Sequence, residues 1–133
     1  MDEPEFQRQV DTLYGKALAV PGLRSARSTD GLSFYVYDTA LTEWKLTISF
    51  SQAFQVPALY VKKTQSVLTW EEVDSLAQRI SGEVLPEEHS SGELMYRLHT
   101  CNSQDLAQLG LAMWLTAFTA LLGLHLPVEL FVA

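Results

Sequence analysis

The clearest structural signal in the sequence is the segment of residues 44–51, WKLTISFS, in which every second residue is apolar. Successive side chains of a β-strand point to opposite faces, so this alternation predicts a strand with one buried face and one polar face. The segments on either side have the same character. Residues 32–37 alternate in the same way, and residues 58–61 supply a further strand that Pro57 can begin. An antiparallel meander of three strands is therefore predicted.

Two amphipathic helices are predicted around this meander. The first starts near Pro4, which a first helical turn accepts, and keeps its helical spacing of apolar residues to Leu18. The second starts at a capping box formed by Thr69 and Glu72 and is closed by Gly82. Its predicted apolar stripe consists of Trp70, Val73, Leu76, Ala77 and Ile80.

After the second helix the composition changes to that of a turn and then of a strand. Residues 86–92 predict a polar loop, and Leu94, Tyr96 and Leu98 alternate with polar or flexible residues as in a fourth short strand. This strand leads directly to Cys101. The chain is thus predicted to be a single α+β domain spanning residues 1–133, with an antiparallel sheet of about four strands flanked by helices.

Residues 109–126 contain no Asp, Glu, Lys or Arg, and a stretch of eighteen such residues is marginally long enough to span a bilayer. The segment contains two glycines and His125 and has no flanking Lys or Arg anchors, which favours a buried helix and no membrane span. The helix is expected to begin near Asp105, with Asn102 or Ser103 as its N-cap, and to end near Gly123.

The charge balance argues against nucleic-acid binding. Nine basic residues stand against sixteen acidic ones, for a net charge of −7, and Lys62-Lys63 is the only adjacent basic pair. A single cysteine excludes an internal disulfide, and the acidic N-terminus does not resemble a secretory signal. A cytoplasmic location is therefore expected.

Cys101 lies between the fourth strand and the start of the last predicted helix. A thiol near a helix N-terminus has a lowered pKa, and a neighbouring imidazole adds to this effect. His99 would share a face with Cys101 if the strand continued, which makes the two residues a candidate nucleophile pair. The residues alone leave two alternatives open for each. Cys101 is a nucleophile or a small buried side chain, and His99 is a site residue or a histidine that orders local backbone.

The remaining histidines, His89 and His125, are widely spaced and form no metal-ligand pattern with Cys101. Glycine-rich phosphate loops and Gly-x-Ser-x-Gly are also missing from the sequence. Neither a metal nor a cofactor is expected.

Three segments resemble motifs of one family, in the same order and at comparable spacing. Residues 54–60, FQVPALY, are similar to an aromatic-Gln-Val-Pro-Val-Leu-Tyr strand entry, and residues 98–101, LHTC, to a Leu-His-Pro-Cys active-site motif. Residues 114–115, WL, and 123–127, GLHLP, resemble a closing Trp-Leu and Gly-Leu-x-Leu-Pro stretch. The family is that of autophagy-related protein ten, the E2-like conjugating enzymes of the autophagy pathway.

The resemblance implies an E2-like fold and a defined set of partners. Cys101 would accept the ubiquitin-like autophagy protein twelve as a thioester from the E1-like autophagy protein seven. It would then pass the modifier to a lysine of autophagy protein five. His99 would order the site or assist proton transfer. The apolar segment of residues 109–126 would be a helix buried against the sheet, with Met113, Trp114, Ala117, Leu121 and Leu122 as core residues. The strand of residues 57–61 is expected at a sheet edge, where an acceptor could add a strand.

Two positions depart from the family pattern. Thr100 replaces the usual proline between histidine and cysteine, and Phe54 replaces a tyrosine that has a role near the family's active site, with loss of its hydroxyl. The region of residues 89–92, HSSG, also lacks the asparagine that ubiquitin E2 enzymes use near the oxyanion, which leaves Asn102 as a candidate donor. These departures keep a second function open: a catalytically inactive E2-like adaptor that binds the same partners.

Overall fold

The computed structural model describes residues 1–100, 108 and 110–131. Within these ranges the chain forms one antiparallel sheet of six strands, in the order β1-β2-β3-β4-β6-β5, and three α-helices. The elements are α1 (Glu3–Leu18), β1 (Arg24–Arg27), β2 (Gly31–Tyr37), β3 (Glu43–Ser51), β4 (Val56–Lys63), α2 (Trp70–Ile80), β5 (Gly82–Glu88), β6 (Leu94–Thr100), α3 (Leu111–Leu122) and a closing 3₁₀ turn (Val128–Leu130). The α+β class is confirmed.

The meander β2-β3-β4 forms the centre of the sheet, as the alternation of residues 44–51 predicted. Leu46 on β3 pairs with Phe34 on β2 and with Val61 on β4, and all three side chains are fully buried. Ile48, two residues later, repeats the arrangement with its own neighbours. Burial of each such side chain stabilises the fold by roughly 1.5–3 kcal/mol, so this apolar face fixes the register of the three strands.

Helices cover the apolar face of the sheet. α1 begins at Asp2, whose carboxylate accepts a hydrogen bond from the Glu5 N–H (2.9 Å), and it buries Phe6 and Val10 completely. α3 contacts both α1 and α2, and Trp114 within it is 1% exposed. Side chains from all three helices and from five of the strands join in a single hydrophobic core.

The start of α2 at Thr69 and its end at Ile80, before Gly82, are as predicted, but the residue that caps its end is not the glycine. The Thr69 side chain accepts a hydrogen bond from the Glu72 N–H (3.2 Å), while the Glu72 carboxylate accepts one from the Thr69 N–H (3.1 Å). At the other end Ser81, with φ 51°, takes the left-handed capping conformation expected of glycine. Gly82 instead begins β5. The chain thus turns from helix to strand without an intervening loop.

Two strands were missed in the sequence, and both are edge strands. β1 contains two arginines and a serine, and it is held by pairing with β2 and by the Arg24 guanidinium, 3.7 Å above the ring of Tyr35. β5 contains Pro86 and buries only Val84, so it lacks an alternating apolar pattern. An edge strand tolerates proline because its outer N–H groups need no partner in the sheet. The predicted polar loop at 86–92 is therefore shorter, and only residues 89–93 connect β5 to β6.

The last helix is buried against the core, but by a different set of residues from that predicted. Trp114 and Leu122 are core residues as expected, whereas Met113 and Leu121 are 58% and 46% exposed, and Ala117 is half-buried. The other buried apolar positions are Leu111, Leu115 and Phe118. A uniformly apolar run carries no periodicity, so the sequence could not show which side faces inward. Among the described residues, no helix has both the length and the apolarity that a membrane crossing requires.

β4 lies inside the sheet, which contradicts the expectation that residues 57–61 form an edge. It pairs with β3 along its whole length, and on its other side Leu59 and Val61 pair with Leu98 and Tyr96 of β6. The middle of β4, residues 59–61, is therefore paired on both sides. The exposed edges of the sheet belong to β1 and β5.

The β5–β6 turn folds over the face of the sheet that the helices leave open. The Ser91 N–H donates to Nδ1 of His89 (3.2 Å), so the opposite nitrogen, Nε2, carries the proton and donates to the Ser49 hydroxyl (2.7 Å). Ser90 reaches further and donates to the Asp30 carboxylate (2.6 Å). This turn buries His89 and Ser49 to 8% exposure each. We refer to residues 89–93 as the clasp.

Glu93 anchors the clasp to two lysines. Its carboxylate lies 2.5 Å from Nζ of Lys45 and 3.0 Å from Nζ of Lys62, which are neighbours on β3 and β4. The hydrogen bond from Lys45, together with that from Lys62, lowers the pKa of Glu93 from 4.5 to about 2. The folded chain thus binds the ionised carboxylate more favourably than the unfolded chain does.

Replacing Glu93 by glutamine is expected to lower the free energy of unfolding by about 1–2 kcal/mol at pH 7, after allowing for solvent screening of a side chain that is 32% exposed. The folded pKa lies below the unfolded one, so this contribution is complete above pH 4.5 and disappears as the pH falls towards 2. Urea denaturation at several pH values measures both effects. The exposed Glu129→Gln variant is the control, and an equal loss in that variant would refute the assignment.

Candidate active site at one end of the sheet

The candidate nucleophile follows directly on β6. Thr100 is the last residue of that strand, and Leu111 is the first residue of α3. Cys101, Asn102, and the predicted helix start with Ser103 and Asp105 lie outside the described residues. The structure therefore defines the two ends of the segment that carries the cysteine.

His99 lies on the open face of the sheet near its end. Its neighbour Leu98 is 5% exposed and faces the helices, so the imidazole, which alternates with it, points to the opposite side and is exposed. Directly across, His99 pairs with Glu83 of β5. Cross-strand partners have Cβ atoms roughly 4.5–5.5 Å apart, which places a carboxylate beside the imidazole. No described residue forms a hydrogen bond with the His99 ring.

Phe54 lies at the same end of the sheet as His99. β4 pairs with β6 in antiparallel register from Leu59–Leu98 to Val61–Tyr96, so the start of β4 and the end of β6 point to the same end of the sheet. The turn of residues 52–55, which precedes β4, therefore lies at that end. Phe54 is 61% exposed in this turn. The sequence resemblance had assigned both residues to one site, and the sheet register brings them to one end of the molecule.

The turn that carries Phe54 has a strained backbone. Gln55 has φ 55°, a left-handed conformation that is uncommon outside glycine. The Gln55 N–H donates to the Ser51 carbonyl (2.7 Å), its side chain donates to the Gln52 carbonyl (2.9 Å), and the Phe54 N–H donates to the Ser51 hydroxyl (3.3 Å). These bonds hold the aromatic ring outward on a defined turn. Strain of this kind costs about 1–3 kcal/mol and is common near functional sites.

The far end of the cysteine segment is fixed by α1. Gly110, with φ 104°, precedes α3 and has no side chain to cap it. Gln9 provides the missing acceptor, because its Oε1 receives a hydrogen bond from the Leu111 N–H (2.6 Å). The Gln9 amide group in turn donates to Glu5 (2.7 Å), which sets the orientation of the amide. A side chain 102 residues away in the sequence therefore caps this helix.

The other histidines do not belong to this end of the sheet. His89 is buried in the clasp, its ring in edge-on contact with Tyr60 (4.8 Å between centroids), and His125 lines a cavity with Tyr37 and Pro127. Among the described residues, no group of three His, Cys, Asp or Glu side chains is placed to hold a metal ion.

Three residues near the site were missed by sequence reasoning. Glu83 required the recognition of β5, which its proline obscured. Finding Gln55 required knowledge of its positive φ, which a sequence indicates only where glycine or asparagine is present. Gln9 required knowledge of a tertiary contact, since a glutamine on the first helix has no local reason to cap the last one. The one available signal was Gly110 itself: a helix that begins after a glycine has no side-chain cap of its own and needs an acceptor from elsewhere in the chain.

No protein-family model matches the chain, and no curated protein matches its sequence significantly. Among solved structures, the solution structure of KmAtg10 is similar, with a TM-score of 0.55 and 18% sequence identity, over 90% of each chain. The architecture is thus the E2-like fold of Atg10, and the predicted fold class is confirmed.

The Gln9 cap predicts a specific loss of stability. Replacing Gln9 by leucine keeps the size of the side chain but leaves the Leu111 N–H without its acceptor, and should lower the free energy of unfolding by about 1 kcal/mol. The double variant Glu5→Gln, Gln9→Glu retains an acceptor for the Leu111 N–H and a donor between positions 5 and 9, so it should lose less stability. Urea denaturation compares the two variants, and equal loss in both would contradict the capping role.

Proposed function

We propose that this chain is an E2-like transferase of the autophagy conjugation system, acting in the cytosol. Cys101 carries the ubiquitin-like autophagy protein twelve as a thioester received from the E1-like autophagy protein seven. The modifier then passes to a lysine of autophagy protein five. The observation that carries the proposal is the E2-like fold shared with KmAtg10, in a chain whose single cysteine follows the sheet directly.

The position of the cysteine supports this chemistry. β6 pairs with β4 at residues 96–98 and with β5 along its whole length, so Thr100, the residue before the cysteine, is still part of the sheet. A thioester carrier must present its sulfur to two large partners in turn, the E1-like enzyme and then the acceptor. The end of a sheet, next to the exposed Phe54 turn, offers more room for them than its interior does.

Two acyl transfers make up the proposed reaction. In the first, the Cys101 thiolate attacks the carbonyl carbon of the modifier–E1 thioester, and the E1 thiolate leaves. In the second, a lysine amine attacks the carbonyl of the new thioester, loses a proton, and releases the Cys101 thiolate as the isopeptide bond forms. Both steps pass through an oxyanionic intermediate that needs hydrogen-bond donors. Asn102 is the candidate donor.

His99 is proposed to order the site or to move the proton of the attacking lysine. Its exposure gives a substrate access to the ring, and Glu83, across the strand pair, can orient the imidazole. In this proposal His99 and Glu83 serve the second transfer more than the first. Thiolate exchange with the E1 thioester needs no general base once the sulfur is ionised.

The alternative function, an inactive E2-like adaptor, is supported by the two departures from the family motif. Phe54 has no hydroxyl to donate at the site, and Thr100 lacks the fixed φ of proline before the cysteine. An adaptor would bind the same partners without forming a covalent bond. The two functions therefore differ in one measurable species, the thioester.

Incubation with autophagy protein seven, autophagy protein twelve and ATP is expected to give a band of the modifier linked to this chain, sensitive to reductant. Cys101→Ala should abolish the band, and Cys101→Ser should give a band resistant to reductant, because an oxyester replaces the thioester. Gel electrophoresis with and without reductant is the measurement. A modifier that binds the wild-type chain but never forms the band would support the adaptor.

His99→Gln is expected to slow discharge of the thioester to autophagy protein five by about tenfold or more, and to leave thioester formation unchanged. Single-turnover assays separate the two steps. Glu83→Gln should slow discharge less, and Glu129→Gln, on the exposed 3₁₀ turn, serves as the matched control. Equal slowing of both steps by His99→Gln would exclude the proposed role.

A further inference from the structure

The sheet continues beyond the start of α2, and its uncovered part forms an apolar surface. Trp70, Val67 and Leu94 are 83%, 80% and 65% exposed. Pro86 and Tyr96, paired across β5 and β6, lie between them. We call these five residues the apolar shelf. Sequence reasoning placed Trp70 in the core, yet the first position of α2 leaves its ring in solvent.

Two adjoining cavities indent the shelf. One, of about 210 Å³, is lined by Val67 and Leu94, and the other, of about 240 Å³, by Trp70 and Pro86. They share Leu68 and Tyr96 as a common wall, so they are neighbours on one surface. Each has room for one large apolar side chain. Two such side chains that are neighbours in space occur three or four residues apart on a helix.

The free charges beside the shelf are negative. Glu88 lies directly across from Leu94, and Asp74 lies one turn after Trp70 on α2; both are exposed. Neither carboxylate forms an ion pair with a described residue. The lysines that border the first cavity are already paired, Lys62 with Glu93 and Lys63 with Glu72. A partner therefore meets two unpaired carboxylates and no unpaired cation here.

We propose that the apolar shelf is a docking site for a basic amphipathic helix of another protein, whose two adjacent apolar side chains fill the cavities and whose Lys or Arg residues face Asp74 and Glu88. Exposed tryptophan in a partly concave apolar surface is the typical centre of such an interface. The same carboxylates disfavour an anionic membrane surface, which would be repelled.

The shelf is remote from the candidate active site. β6 runs from Leu94, on the shelf, to Thr100, next to Cys101, which is a distance of roughly 20 Å at about 3.3 Å per residue. A partner on the shelf can therefore stay bound while the cysteine is loaded and discharged. The inference does not rest on the proposed conjugating activity.

Trp70 provides its own reporter. Trp44 and Trp114 are 6% and 1% exposed, so acrylamide quenching of the intact chain reports mainly on Trp70. The probe is a synthetic 16-residue peptide with leucines at i, i+3 and i+4 spacing and lysines elsewhere. Its controls are the same peptide with glutamate in place of lysine, and the lysine peptide with its leucines dispersed. The first peptide should protect Trp70 from quenching and bind at least tenfold more tightly than either control.

Substitutions test the site. Val67→Ser and Leu94→Ser should each weaken the basic peptide about tenfold, whereas Leu41→Ser and Leu18→Ser, at matched exposures of 80% and 66%, should not. The double variant Asp74→Lys, Glu88→Lys should reverse the preference to the acidic peptide. All these side chains are exposed, and an unchanged melting temperature confirms that each variant is folded. If either serine variant unfolds, the binding preference of the charge-reversed double variant alone tests the proposal.

Several outcomes would overturn the proposal. These are absence of Trp70 protection by the basic peptide, equal affinity for the acidic peptide, and equal weakening by Leu18→Ser. Protection of Trp70 that appears on raising the protein concentration alone would assign the shelf to a second copy of this chain. Protection by vesicles of anionic lipid without peptide would assign it to a membrane surface.

Discussion

The pairing of β4 with β6 is the interaction on which the rest of this structure depends. Only three residue pairs join the two strands, from Leu59–Leu98 to Val61–Tyr96. They connect the β1–β4 meander to the β5–β6 hairpin, and an isolated two-stranded hairpin is at best marginally stable in water. Because the pairing is antiparallel, it also decides that the end of β6 lies next to the start of β4. The relation between His99 and the Phe54 turn follows from this register alone.

β6 can hold its position because each of its two faces carries a buried side chain. Leu98 faces the helices, while Met95, on the opposite face, is completely buried. The clasp completes this second face with polar contacts, Glu93 to its two lysines and His89 to Ser49. Ion pairs that keep a third of their surface in water contribute only modestly to the free energy of unfolding. The clasp therefore fixes the position of the hairpin as much as it stabilises it. The hairpin is thereby fixed along its length, with the candidate site at one end and the apolar shelf at the other.

Local patterns in the sequence predicted those parts of the fold that local physics determines. The alternation at residues 44–51 gave the meander, and Thr69 with Glu72 gave the start of α2, since each signal concerns neighbours in sequence. The edge strands β1 and β5 gave no such signal, because one buried side chain in seven, as in β5, leaves no period to detect. The α+β class came from these patterns, whereas the E2-like fold came from resemblance in short motifs and is confirmed by the likeness to KmAtg10. The candidate site was predicted only in part, since Glu83 and Gln9 reach it through pairings that no local rule contains.

The misassignment of Trp70 shows what such failures indicate. Its spacing from Val73 and Ala77 is that of a core stripe, and the helix does form as the spacing predicts. The stripe, however, extends one turn past the point where α3 and the rest of the core cover it, so the first member is left in solvent beside Val67 and Leu94. A tryptophan and a leucine left in solvent forgo the stabilisation that their burial would give, whereas polar residues at these positions would lose nothing by exposure. The local pattern around Trp70 is that of a buried residue, but no described part of the chain packs over it. Burial against a partner protein best explains such a position.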